Sequence, residues 1–113
     1  MHELRSQVSD DASQDLARQF DWYEREAGTD VAEQYLSSFR VTVKMLARQP
    51  DAGTARHFRS PLLRGIRCFQ LGSPFRVHLV FYRVEDDALV VFRVLHGMRD
   101  LPRRLVRPPG QED

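Results

Sequence analysis

The sequence predicts an α+β domain in which an antiparallel β-sheet packs against an N-terminal helical hairpin, in the order β-α-α-β-β-β. Apolar residues recur every three or four positions through the first half, as on the buried face of a helix. Three β-rich runs separated by short polar turns occupy the second half. The chain has 113 residues, enough for one modest core, so the two halves have to share it.

Residues 4–8 alternate apolar and polar side chains over a short span, which suits a strand at a sheet edge. Ser9 is a helix cap, and Asp10 and Asp11 follow it in the first turn, where the positive end of the helix dipole favours them. Ala12, Leu16, Phe20, Tyr23 and Ala27 form the buried stripe of this helix, and Gly28 ends it. Asp30 with Glu33 resembles a capping box. A second stripe follows at Val31, Tyr35, Leu36, Phe39, Val43 and Leu46, bounded near Arg48 by Pro50. So short a connection makes the two helices antiparallel.

Residues 51–64 lack periodicity and read as a connecting loop. Strands are expected over 65–71, 75–84 and 88–95, joined by tight turns at 72–74 and 85–87. In the last strand, Val90, Phe92 and Val94 are expected to face the helical hairpin, with Leu89, Val91, Arg93 and Leu95 on the other side. The core elements are expected to end near Leu95. Residues 1–106 are read as a single domain, and 107–113, with Pro108, Pro109 and Gly110, as a loose tail.

Composition narrows the class of protein. With 42% hydrophobic and 29% charged residues, the chain matches ordinary globular proteins. It has neither a spanning apolar run nor a signal-peptide pattern, so a cytoplasmic protein is expected. The lone Cys68 forms no internal disulfide and no cysteine-based zinc site, and its β-branched and aromatic neighbours suggest a small buried hydrophobe. The net charge of +1 is unevenly placed. Residues 1–50 hold six Lys/Arg and nine Asp/Glu (−3), while residues 51–113 hold eleven and seven (+4).

Several segments together resemble the RelE/ParE superfamily of toxins from type II toxin-antitoxin systems. They are Ser9-Asp10-Asp11-Ala12, Asp15-Leu16 and Trp22-Tyr23 in the first helix, and Ala32, Tyr35, Leu36 and Leu46 in the second. Pro50-Asp51-Ala52-Gly53 follows as a P-x-x-G exit. Leu63-Arg64-Gly65-Ile66-Arg67 and Phe81-Tyr82-Arg83-Val84 match strand segments. Arg93-Val94-Leu95-His96-Gly97-Met98-Arg99-Asp100 is similar to the signature closing the last strand in the ParE-like branch. Each piece is common alone, and the order in which they occur together carries the resemblance.

The resemblance implies a RelE/ParE-like fold and a toxin neutralised by a cognate antitoxin, with a toxin-antitoxin hetero-oligomer as the expected assembly. In the ParE-like branch the implied target is DNA gyrase, inhibited without hydrolysis. In the RelE-like alternative the protein is an endoribonuclease acting on the ribosome and mRNA. A third reading is a non-toxic binding partner with the toxin fold. For a ribonuclease the sequence offers Arg67, Arg93 and Arg99 as cations and His96 as the late acid/base candidate, but no Tyr follows Tyr82. For a binding toxin, the target-facing set is Arg93, His96, Arg99, Asp100, Arg103, Arg104 and Arg107.

These residues also have plainer readings. His96 could be a general base, a partner contact, or a structural residue where the strand ends. Arg99 and Asp100 could form a local pair or a turn into Pro102, and the terminal arginines could be a solvated basic face. His57 and His78 have no spacing that suggests a metal site. No cofactor loop, nucleophile triad or catalytic carboxylate pair is present, so no metal or cofactor is expected.

Overall fold

A computed structural model describes residues 3–97, 101–106 and 109. The chain runs through β1 (Arg5–Val8), α1 (Asp10–Ala27), α2 (Thr29–Arg48), β2 (Thr54–Ala55), β3 (Arg67–Gln70), β4 (His78–Glu85), β5 (Ala88–His96) and α3 (Leu101–Val106). The five strands form one sheet in the order β1-β5-β4-β3-β2. The expected 107–113 tail lies outside the described residues, Pro109 excepted.

Local chemistry sets the hairpin. Ser9 caps α1, its side-chain oxygen accepting from the Ala12 amide at 3.0 Å. Gly28, at φ +98°, ends α1 by donating to the Tyr23 and Glu24 carbonyls and also serves as the N-cap of α2. A side chain there would be strained, which is the reason for glycine. The helix therefore starts at Thr29, with Asp30 inside its first turn and not at the cap.

The sheet is mixed. β2, β3, β4 and β5 pair antiparallel in succession, whereas β1 lies parallel to β5 with Arg5 opposite Ala88 and Val8 opposite Val91. The first strand sits at an edge, as its alternation suggests, but its direction depends on the helical crossover between it and the rest of the sheet. The third expected strand starts at His78, because successive turns precede it, in which the Phe75 amide donates to the Gly72 carbonyl and the His78 amide to the Phe75 carbonyl.

Both faces of the sheet are apolar and covered. On one side, Ala12, Tyr35, Phe39, Val43 and Leu46 of the hairpin pack on Val80, Tyr82, Leu89, Val91 and Val94. On the other, Leu63 and the α3 residues Leu101 and Leu105 pack on Cys68, Leu79, Phe81 and Leu95, with Phe58 and Phe92 against them. The core thus extends past Leu95 into α3.

The expected facing of the last strand is corrected here. Phe81 pairs with Arg93 and Tyr82 with Val91, so Phe92 is an extra residue with no counterpart on β4. This bulge shifts the alternation by one. Leu89 and Val91 before it, and Val94 after it, face the helices, while half-buried Phe92 packs with the second cluster.

Candidate functional site

The bulge places Arg93 in a buried ion pair. β1 covers β5 only as far as Val91, so the next backbone groups of β5 would be left unpaired at the sheet edge. α1 supplies their partners. Ser9 Oγ donates to the Phe92 carbonyl at 2.8 Å, Asp15 Oδ2 accepts from the Val94 amide at 3.0 Å, and Gln19 Nε2 donates to the Val94 carbonyl at 2.9 Å. Tyr35 Oη donates to Gln19 Oε1.

Asp15 also takes a bidentate contact from the Arg93 guanidinium, Nε to Oδ2 at 2.7 Å and Nη2 to Oδ1 at 2.8 Å. Both residues are fully buried. Arg93 Nη1 donates to the Arg104 carbonyl at 2.8 Å, and Arg104 in turn donates to the His96 carbonyl at 2.7 Å. The C-terminal helix is thereby clasped to the end of β5 from both directions. Two local signals point to such a pair: an acid three residues after Ala12 on an apolar stripe, and an arginine inside an apolar strand. Buried charges of this kind need partners.

Among the described residues, Arg67 is not gathered with Arg93 and His96. Arg67 is on β3, two strands from Arg93 on β5, a separation of roughly 10 Å at ordinary strand spacing. Its guanidinium donates to the Gly53 carbonyl at 2.8 Å and lies 3.5 Å from Asp51. This is the P-x-x-G turn, where Tyr82 Oη accepts from the Gly53 amide at 2.9 Å and donates to the Pro50 carbonyl at 2.7 Å. A Cβ at Gly53 would lie 2.8 Å from Tyr82 Cε1, so only glycine fits. The sequence placed a turn here without its tyrosine.

His96 is exposed, with its ring centroid 5.4 Å from that of its cross-strand partner His78. His78 is buried, its Nε2 2.8 Å from Tyr23 Oη, and its Nδ1 has no partner among the described residues. Burial, and secondarily His96, lower its pKa to about 4. His57 lies exposed in the 56–64 loop. Burial pushes the Cys68 thiol up, against a smaller opposing effect of Arg56. Arg103 is exposed on α3 and Arg104 half-buried. Arg99, Asp100 and Arg107 lie outside the described residues. Among the described residues no group of His, Cys, Asp or Glu is placed to hold a metal, and no helix is long and apolar enough to cross a membrane.

A family model described as "ParE toxin of type II toxin-antitoxin system, parDE" matches residues 7–101. The chain belongs to this ParE toxin family. The match includes the second half of β1, the hairpin, strands β2 to β5, and the first residue of α3. The toxin's fold is similar to a chain of a chromosomal ParDE toxin-antitoxin system from P. aeruginosa, at TM-score 0.69 and 20% identity over 87% of this chain and 100% of that one. It is also similar to a chain of the RelBE2 toxin-antitoxin complex from Mycobacterium tuberculosis, at TM-score 0.51 and 18% identity over 84% and 99%. A search of curated proteins returned no match.

Proposed function

We propose that this toxin arrests growth by binding DNA gyrase, without cutting RNA, and that a cognate antitoxin neutralises it. One observation carries the choice: the guanidinium of Arg93, one of the cations the sequence offers to meet a phosphate, is fully buried on Asp15. Stabilising a cleaving phosphate requires accessible donors aimed at the developing charge, with an acid/base group beside them. Arg93 instead holds α3 in place, and Arg67 holds a turn. On this reading the target-facing groups are Arg103 and Arg104 of α3, together with Arg99, Asp100 and Arg107 as the resemblance implies, while His96 and Arg93 position the strand end.

Complexes of both similar folds contain an antitoxin, which supports the same arrangement here. The partner is expected from an adjacent reading frame and would be found by co-expression and pull-down. The target is tested by inducing the toxin in growing cells. Gyrase poisoning gives an SOS response and broken DNA. Prompt translation arrest with cut mRNA, slowed by His96→Ala roughly 10²- to 10⁴-fold as for loss of a general acid or base, would replace this reading with the ribonuclease.

A further inference from the structure

The 56–64 loop and α3 are distant in sequence, yet both lie on the sheet face turned away from the helical hairpin. Phe58 and Leu63 of the loop and Leu101 and Leu105 of α3 pack into the same cluster. Arg56, Arg59 and Arg64 therefore share a side of the molecule with Arg103 and Arg104. The opposite side is the hairpin, whose helices α1 and α2 carry eight of the chain's sixteen acidic residues. By contrast, residues 52–84 hold six arginines and no carboxylate. The charge asymmetry along the sequence thus becomes an asymmetry between two faces.

Within that basic face lies a depression of about 150 Å³, its polar lining supplied by Arg56, His57, Arg59, Ser60 and Arg64 and its apolar lining by Phe58, Pro61 and Leu63. Arg83 fixes its rim by donating to the Leu62 and Arg64 carbonyls at 2.8 and 3.1 Å, its own charge balanced by Glu85. None of Arg56, Arg59 and Arg64 forms an ion pair with a carboxylate among the described residues. The depression is below the roughly 300–1,000 Å³ that small organic ligands occupy, and suits a single oxyanion group.

We propose that this depression seats a backbone phosphate of nucleic acid, with Arg56, Arg59 and Arg64 as the contacts and the α3 arginines continuing the same surface. Guanidinium groups suit phosphate oxygens because their N–H forks donate two at a time. A protein partner fits less well, since such interfaces centre on apolar residues with charge depleted. On the loop and α3 the large apolar residues left exposed are Leu62 and Val106. A polar, strongly positive face is the usual form of a nucleic-acid interface. The proposal rests on the reading of DNA gyrase as the target and gives the toxin its own contact with the DNA on which gyrase acts.

The test uses the purified full chain and a short fluorescein-labelled DNA duplex, with anisotropy titrations at several salt concentrations and no gyrase present. The expected result is binding whose slope of log K against log salt falls by about one for each phosphate-contacting arginine removed, in Arg59→Glu, Arg64→Glu and the triple alanine variant. Melting temperatures are compared first; Arg59 and Arg64 are exposed, so the single variants keep the fold if the triple variant loses it. Equal slopes for wild type and variants overturn the proposal. So does tighter, variant-sensitive binding to poly-glutamate than to the duplex, which would assign the face to an acidic protein. Gyrase supercoiling assays run alongside separate the two readings. Gyrase inhibition with unchanged DNA slopes removes this proposal alone, and arginine-dependent DNA binding without gyrase inhibition supports it while removing the gyrase target.

Discussion

At the scale of the residue, the Asp15–Arg93 pair decides most about this toxin. A guanidinium with no exposure is stable there because Asp15 and the Arg104 carbonyl meet its donors, and the Val94 amide and Arg18 complete the carboxylate. Removing one partner leaves the other charged and buried. Asp15→Ala is therefore expected to destabilise the fold by about 3–5 kcal/mol in urea unfolding, and the double variant Asp15→Leu with Arg93→Met to recover much of the loss. Equal losses in the single and double variants would show that the charge pairing is not what matters. The same residues illustrate a limit of sequence reading. An arginine after the apolar run 88–92 is equally compatible with a site on the surface and with a strut in the interior. Only the position of α1 relative to β5 distinguishes them.

At the scale of the element, β5 is organised by its bulge. Leu89 is fully buried beneath the helices, whereas Phe92 is half-buried on the other face, its ring 5.6 Å from the Arg83 guanidinium carbon. Leu89→Ala is expected to cost about 2–5 kcal/mol, and Phe92→Ala less than Leu89→Ala, because part of the Phe92 ring stays in contact with water. Melting curves of the two purified variants check the order, and the reverse order would restore the facing expected from simple alternation. The helices were legible because one face of each is apolar and the other is charged. β5 was not, since both faces of the sheet are covered and its pattern carries no polar side to set the phase. The short α3 was legible only as a basic element opening at a proline suited to an early helical position. Leu101 and Leu105 are two apolar residues, and what they bury against depends on the 56–64 loop sharing the same face.

At the scale of the whole molecule, β4 and β5, both helices and the 72–77 turn meet around His78. Its ring contacts Tyr23, Tyr35 and His96, and Phe75 packs on the two tyrosines. The native pKa of about 4 lies below the roughly 6.5 of an unfolded histidine. Above pH 6.5 both states are neutral and this residue gives no pH dependence. As pH falls from there toward 4, the unfolded chain binds a proton that the native state does not, so global stability declines by up to about 3 kcal/mol and then levels off. Denaturant unfolding at pH 7, 5.5 and 4.5 measures this. His78→Gln should flatten the decline by that amount, and an identical pH profile in the variant would assign the acid sensitivity elsewhere.

The sequence by itself determined the α+β class, the helical hairpin, the three successive strands of the second half, the family resemblance and the concentration of positive charge in the second half. Apart from the family resemblance, which rests on motifs occurring in order, each of these follows from local periodicity, capping residues or composition. The tertiary structure alone decided the parallel pairing of β1, the parity of β5, the burial of Arg93 on Asp15, and the gathering of Arg56, Arg59 and Arg64 with the arginines of α3 on one face. These depend on residues up to 83 positions apart. Their contacts exist only once the sheet has closed around its two covered faces, so no window of sequence contains the information.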